Sequence, residues 1–216
     1  MTRFRRILLI NPNTSSSMTE LMLAHAGKYV AQSATIQALT APFGSPCIVS
    51  RATYAVAAHA AIETYAGYNG TPPDVVVLCC FGDPGLEALR EIVPKPIVGL
   101  AEASIRAAEA RCVPFAIITL GTAWVAMLEE RLILMNAKPH CVGIYAVEAT
   151  GRDLETDRAR VIELLDRAAA IALQAGAVTI VLGGGALAGI AGELTTHARY
   201  IDCIEAAMDE AMSYPR

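Results

Sequence analysis

Short apolar runs alternate with alanine-rich stretches of helical length along the chain, and that alternation constrains the fold more than any other feature. The runs fall at 7–10, 75–78, 97–100, 115–118 and 179–182, each bounded by Gly, Pro or Asn. Apart from Thr179 they carry no polar residue, so both faces of each strand must be covered. Helical periodicity marks 16–29, 52–65, 85–92, 103–110, 122–135, 156–175, 187–197 and 204–212. Strands that alternate with helices in this way predict an α/β fold built on a parallel sheet.

The alternating unit is written twice. The segment around INPNTSSS matches that around ITLGTAWV, setting Asn11 against Thr119 and Thr14 against Thr122. SATIQALTA matches HCVGIYAVE, with Ile36 against Ile144 or its neighbour. VVVLCCFGDPGL matches TIVLGGGALAGI, with Cys80 against Gly184, and IVGLAEAS matches YIDCIEAA, with Glu102 against Glu205. Four blocks in one order, at offsets between 103 and 108 residues, predict two pseudo-symmetric, flavodoxin-like parallel-sheet lobes. The first spans 1–101 and the second 102–202, and the C-terminal helix within 203–216 returns to complete the first. Ligands of open α/β sheets bind beyond the carboxyl ends of the strands. Facing lobes would then enclose a cleft lined by 11–15, 80–85, 119–122 and 183–185.

Composition excludes several function classes. Hydrophobic residues make up 54% of the 216, enough for a sizeable core, and the net charge is −4. The basic start Arg3, Arg5 and Arg6 is too small an electrostatic footprint for a nucleic-acid partner. No apolar run reaches the roughly 18 residues of a membrane span, and 7–10 is too short for a signal peptide. The six cysteines show no metal-site spacing, so a cytoplasmic protein with reduced thiols is expected. His25, His59, His140 and His197 lie in separate elements and form no ligand spacing, so no metal is expected.

Chemistry concentrates in three strand-end turns. CCFGDPGL leaves a buried strand and opens a helix, whose free amides depress a thiol pKa and hold an anion. Cys80 is therefore the candidate reactive residue, with the Phe81 and Gly82 amides beside it. Cys79 points to the opposite strand face, into the core, and Cys47, Cys112, Cys141 and Cys203 read as unreactive thiols, Cys47 being near the cleft. In INPNTSSS, Thr14 or a nearby Ser caps the helix, and Asn13 offers a side-chain donor. Thr119 and Thr122 hold the matching places in the second half. VLGGGALAG lacks the spacing of a dinucleotide or phosphate loop, so Gly184 and Gly185 read as a close backbone approach to a small ligand. Glu102 and Glu205 begin matched helices, where a capping charge is the expectation.

INPNTS, CFGDPGL, VGLAEAS and the late LGG turn together resemble the hydantoin and allantoin racemases of the aspartate/glutamate/hydantoin racemase superfamily. The resemblance covers nearly the whole chain. It implies duplicated lobes, no cofactor, and two cysteines facing across the cleft, one removing the α-proton and one returning it. Carried over, the first cysteine is Cys80 and the second falls on Gly184. The chain departs from the family there, at Cys47-Ile48-Val49 where a Ser-Ile-Glu-like stretch is usual, and at Leu120 where a second Thr is usual. It is also similar to the arylmalonate decarboxylases, which keep one cysteine facing a glycine, in mirror arrangement.

The expectation is a cofactor-independent racemase of a small carboxylate or cyclic amide, with Cys80 catalytic. Asn13, Thr14, Phe81, Gly82, Thr119, Thr122, Gly184 and Gly185 are the expected substrate contacts, in a homo-oligomeric enzyme. Single-cysteine decarboxylation of a malonate-type acid, cis–trans isomerisation of a dicarboxylate, and carboxylate binding without turnover are the alternatives.

Overall fold

A computed structural model describes residues 4–215; Arg3 of the basic start lies outside them. Among the described residues, eight strands form two four-stranded parallel sheets flanked by eight α-helices. The first joins β1 (Arg5–Asn11), β2 (Ala34–Thr40), β3 (Val75–Leu78) and β4 (Ile97–Gly99) in the order β2-β1-β3-β4. The second joins β5 (Phe115–Leu120), β6 (Cys141–Val147), β7 (Thr179–Gly183) and β8 (Arg199–Asp202) in the order β6-β5-β7-β8. The orders are identical, so the duplication is real in space.

Strand register ties the halves together. Ile7 pairs with Val75 in the first sheet, and Phe115 with Thr179 in the second. One block is displaced, however. Ile36 pairs with Ile7, and its counterpart beside Phe115 is Cys141 rather than Ile144. The paired residues are 26 positions apart there against 29 in the first lobe, and a bulge between Phe115 and Ala116 restores one residue in β6.

Alternation along each strand feeds separate cores. Ile7, Leu9, Val75, Val77 and Cys79 face a core shared between the sheets, with Phe115, Ile117 and Val181 from the other lobe. Helices α1 (Ser16–Val30), α4 (Leu100–Glu109), α5 (Trp124–Leu134) and α8 (Cys203–Ser213) supply the rest of that core. Leu8, Ile10, Val76 and Leu78 face outward under α2 (Arg51–Ala66) and α3 (Leu86–Ile92). On the second sheet, Ala116, Ile118, Ile180 and Leu182 face α6 (Gly151–Thr156) and α7 (Arg158–Gln174). The helix α8 follows β8 yet packs on α1 and α4. Arg5 at the start of β1 is buried and donates to the Ala211 carbonyl (2.7 Å) and to that of Tyr214, holding the end of α8.

Three helix expectations need correction. The periodic stretch 187–197 contains no α-helix, only two 3₁₀ turns, 185–187 and 190–193, broken where Gly189 takes φ +75°. The helix expected at 156–175 is a single helix that starts two residues later, at Arg158, because Asp157 leaves helical geometry and separates it from a short α6. The helix after CCFGDPG begins at Leu86, behind a left-handed Gly85.

Candidate active site

The carboxyl ends of the strands meet in a cavity of about 130 Å³ between the lobes. Asn13, Cys80, Phe81, Thr119, Gly184 and Gly185 line it together. Thr14, Gly82 and Thr122 lie off its lining. Thr14 donates its amide to Ser45 (3.1 Å), and Thr122 is exposed to solvent.

The first wall is built by asparagines. Asn11 is buried at the end of β1, and its Nδ2 donates to Thr19 Oγ1 (2.9 Å) and Asn13 Oδ1 (2.8 Å). Asn13 Oδ1 also accepts the Ser15 amide (2.9 Å). Both partners donate, so the oxygen must face them. The Asn13 amino group is thereby left on the cavity side. Ser15 rather than Thr14 caps α1, accepting from the Met18 amide (3.2 Å).

The Cys80 turn differs from expectation in its electrostatics. With α3 beginning only at Leu86, the helix amides are too far along the chain to stabilise a thiolate at Cys80. Burial, then the neighbouring Asp83 carboxylate and the thiols of Cys79 and Cys47, push the Cys80 thiol well above its ordinary value. Cys79 is buried in the shared core, as expected, and burial pushes its thiol up to about 12.

Asp83 is the residue that sequence reasoning passed over. It is fully buried at φ +58°, and its carboxylate accepts the Ala101 (3.0 Å) and Glu102 (2.9 Å) amides at the start of α4. Gly99 makes room: a Cβ there would lie 2.4 Å from Asp83 Cγ. Burial pushes Asp83 up to about 7 against the opposing pull of Arg131 and the two amides. In the second lobe the equivalent amides, Ile204 and Glu205, are capped by Asp202 from β8 itself. Glu102 and Glu205 are therefore not the caps. Glu102 instead pairs with Arg90 and Arg106.

Side chains of both lobes hold the turn from outside. The Gly82 carbonyl accepts from Tyr54 Oη (2.9 Å) and Arg131 Nη2 (3.2 Å), and Gly82 at φ +134° abuts the Trp124 ring. Trp124 Nε1 donates to the Ile48 carbonyl (3.1 Å), closing the loop that carries Cys47 over the cavity. Across the cleft, Thr119 Oγ1 donates to the Gly183 carbonyl (2.6 Å). The Phe81 ring fills the place of a Gly183 Cβ, 2.5 Å away. The amides of Phe81 and Gly185 donate to no described protein group. Thr150 and Gly151 also line the cavity, in a capping box with Asp153. The T-x-x-D spelling was a usable signal for that box.

Residues 7–211 match the family described as Asp/Glu/Hydantoin racemase. The chain belongs to that family. It is 34% identical over 212 residues to a hydantoin racemase of Paenarthrobacter aurescens, covering 96% of this chain and 90% of the relative. The allantoin racemase of Klebsiella pneumoniae superposes with a TM-score of 0.89 at 32% identity, covering 97% and 86% of the two chains. That of Pseudomonas fluorescens gives 0.92 at 28%, covering 96% and 89%. The chain is a racemase-type enzyme of the hydantoin/allantoin branch. Among the described residues, no helix is long and apolar enough to cross a membrane.

Proposed function

We propose that this racemase-family enzyme acts without a cofactor at a carbon next to a carbonyl, in a hydantoin- or allantoin-like amino-acid derivative, with Cys80 as proton carrier. One observation carries the reading: Cys80 follows the end of β3 on the cavity wall, at the position matching Gly184 in the second lobe. The Cys80 thiolate takes the α-proton, forming S–H as C–H breaks, and the electron pair moves to the carbonyl oxygen. The free amides of Phe81 and Gly185 and the Asn13 amino group receive that oxyanion. Thr119 and the Gly184 backbone bound the second wall, where water returns the proton, and the hydroxide left takes the Cys80 S–H proton to restore the thiolate and water. Thr14, Gly82 and Thr122 hold turns in this reading and do not touch substrate. Loss of optical rotation from a single-enantiomer 5-substituted hydantoin, abolished by Cys80→Ser, is the expected result. Undiminished racemisation by Cys80→Ser would refute it.

A second reading is favoured by the single thiol of the pair Cys80 and Gly184, with burial and Asp83 raising the pKa of that thiol. Loss of carbon dioxide from a malonate-type acid leaves an enolate that needs one proton, and one S–H supplies it. Carbon dioxide release from an arylmalonate, with no turnover of hydantoins, would select it.

A further inference from the structure

Outside the cleft, the fold brings His25 of α1 against Asp202 and Glu205 at the start of α8. His25 Nε2 stands 3.3 Å from Asp202 Oδ2 and 3.4 Å from Glu205 Oε1. The nitrogen is buried and makes no well-directed hydrogen bond, so both carboxylates reach it as ion-pair contacts. All three ligand atoms lie within 4.8 Å of one another. Tetrahedral zinc with bonds of about 2.0–2.1 Å sets its ligand atoms about 3.3 Å apart, the spacing of the imidazole nitrogen from each carboxylate.

We propose that His25, Asp202 and Glu205 form a divalent transition-metal site of zinc type that ties α1 to α8. The donor set of one imidazole and two carboxylates suits zinc more than magnesium or calcium, which take all-oxygen shells. The surroundings hold the donors in place. Asp202 is 5% exposed, and its carboxylate accepts the amides of Gly189 (2.7 Å), Ile204 (2.8 Å) and Glu205 (3.2 Å). Gly189, at φ +75°, presses its Cα side onto the imidazole, 3.2 Å from Cε1 and Nδ1 to an added Cβ. Glu205, 41% exposed, leaves the site open to an entering ion and to water as a fourth ligand. None of the three lines the cleft, so the role is structural and independent of the proton chemistry.

The test uses the full chain after chelator treatment, titrated with zinc chloride and followed by calorimetry and melting temperature. One zinc per chain is expected, with a rise in melting temperature. Glu205→Gln and His25→Ala are each expected to weaken binding at least ~10-fold. Asp202 stays intact in both, so α8 keeps its cap. Cobalt(II) in place of zinc should give tetrahedral d–d bands without a thiolate charge-transfer band. Absence of stoichiometric zinc binding would overturn the proposal. So would zinc retained by both variants, or a charge-transfer band, since either places the ion on cysteines.

Discussion

Cys80 and Gly184 occupy the same place in the two sheets: each stands five residues beyond the strand residue, Val75 or Thr179, that pairs with Ile7 or Phe115. One wall of the cleft carries a thiol and the other carries none. Gly184 has φ 168°, extended backbone open to any residue, and an added Cβ would meet only Leu187, at 3.7 Å. Gly184→Cys should therefore fold with little loss of stability. It should raise hydantoin racemisation by ~10-fold or more, because general acid–base groups contribute 10²–10⁴-fold. Chiral chromatography of reaction time courses checks this, and a folded but slower variant counts against it.

The pH profile separates the two readings of Cys80. Its pKa is raised by burial and by Asp83. A thiol used as base is active only when deprotonated, so racemisation should climb about tenfold per pH unit from pH 7 to pH 9. A thiol used as acid is already protonated there, and decarboxylation should be flat. Initial rates of both reactions across that range are the measurement.

Asp83 makes stability depend on pH. Its folded pKa of about 7 lies above the ordinary 3.8. Its contribution is thus fully present below the unfolded value and lost as pH rises through about 7. Asp83→Asn removes this dependence and one of two caps, at about 1 kcal/mol for the cap. The deficit of the variant in melting temperature should be largest near pH 4 and shrink toward pH 8. A constant deficit would contradict the assignment.

Trp124→Phe deletes the donor to Ile48 and withdraws the outer ring edge that abuts Gly82. A lost hydrogen bond of this kind costs about 1 kcal/mol. The loop over the cavity should loosen, raising KM more than it lowers kcat. Steady-state kinetics with urea melts test both effects.

Much of the architecture was legible because it rests on period and repetition. Buried strands and the doubled order of blocks are written in residue spacing, and Cys80, Asn13, Thr119, Gly184 and Gly185 follow from their positions at strand ends. What escaped is tertiary. The absence of a helix at 187–197 follows from a single glycine dihedral, which periodicity does not encode. The high pKa of Cys80 comes from burial beneath another lobe and from Asp83, neither of which local motif reasoning sees. Trp124 and Arg131 serve the first lobe from a helix of the second, so no spacing reveals them.

The capping carboxylates bear on how the halves drifted apart after duplication. At matched helix starts, one lobe draws its carboxylate from Asp83 over a Gly99 that yields the space, and the other from Asp202. The place matching Asp83 is Leu187, which carries no carboxylate. Grafting 97–102 onto 200–205 would import the glycine without the acid and leave the amides of α8 bare. The two halves have become unlike at their shared architectural joint, and neither can any longer stand in for the other.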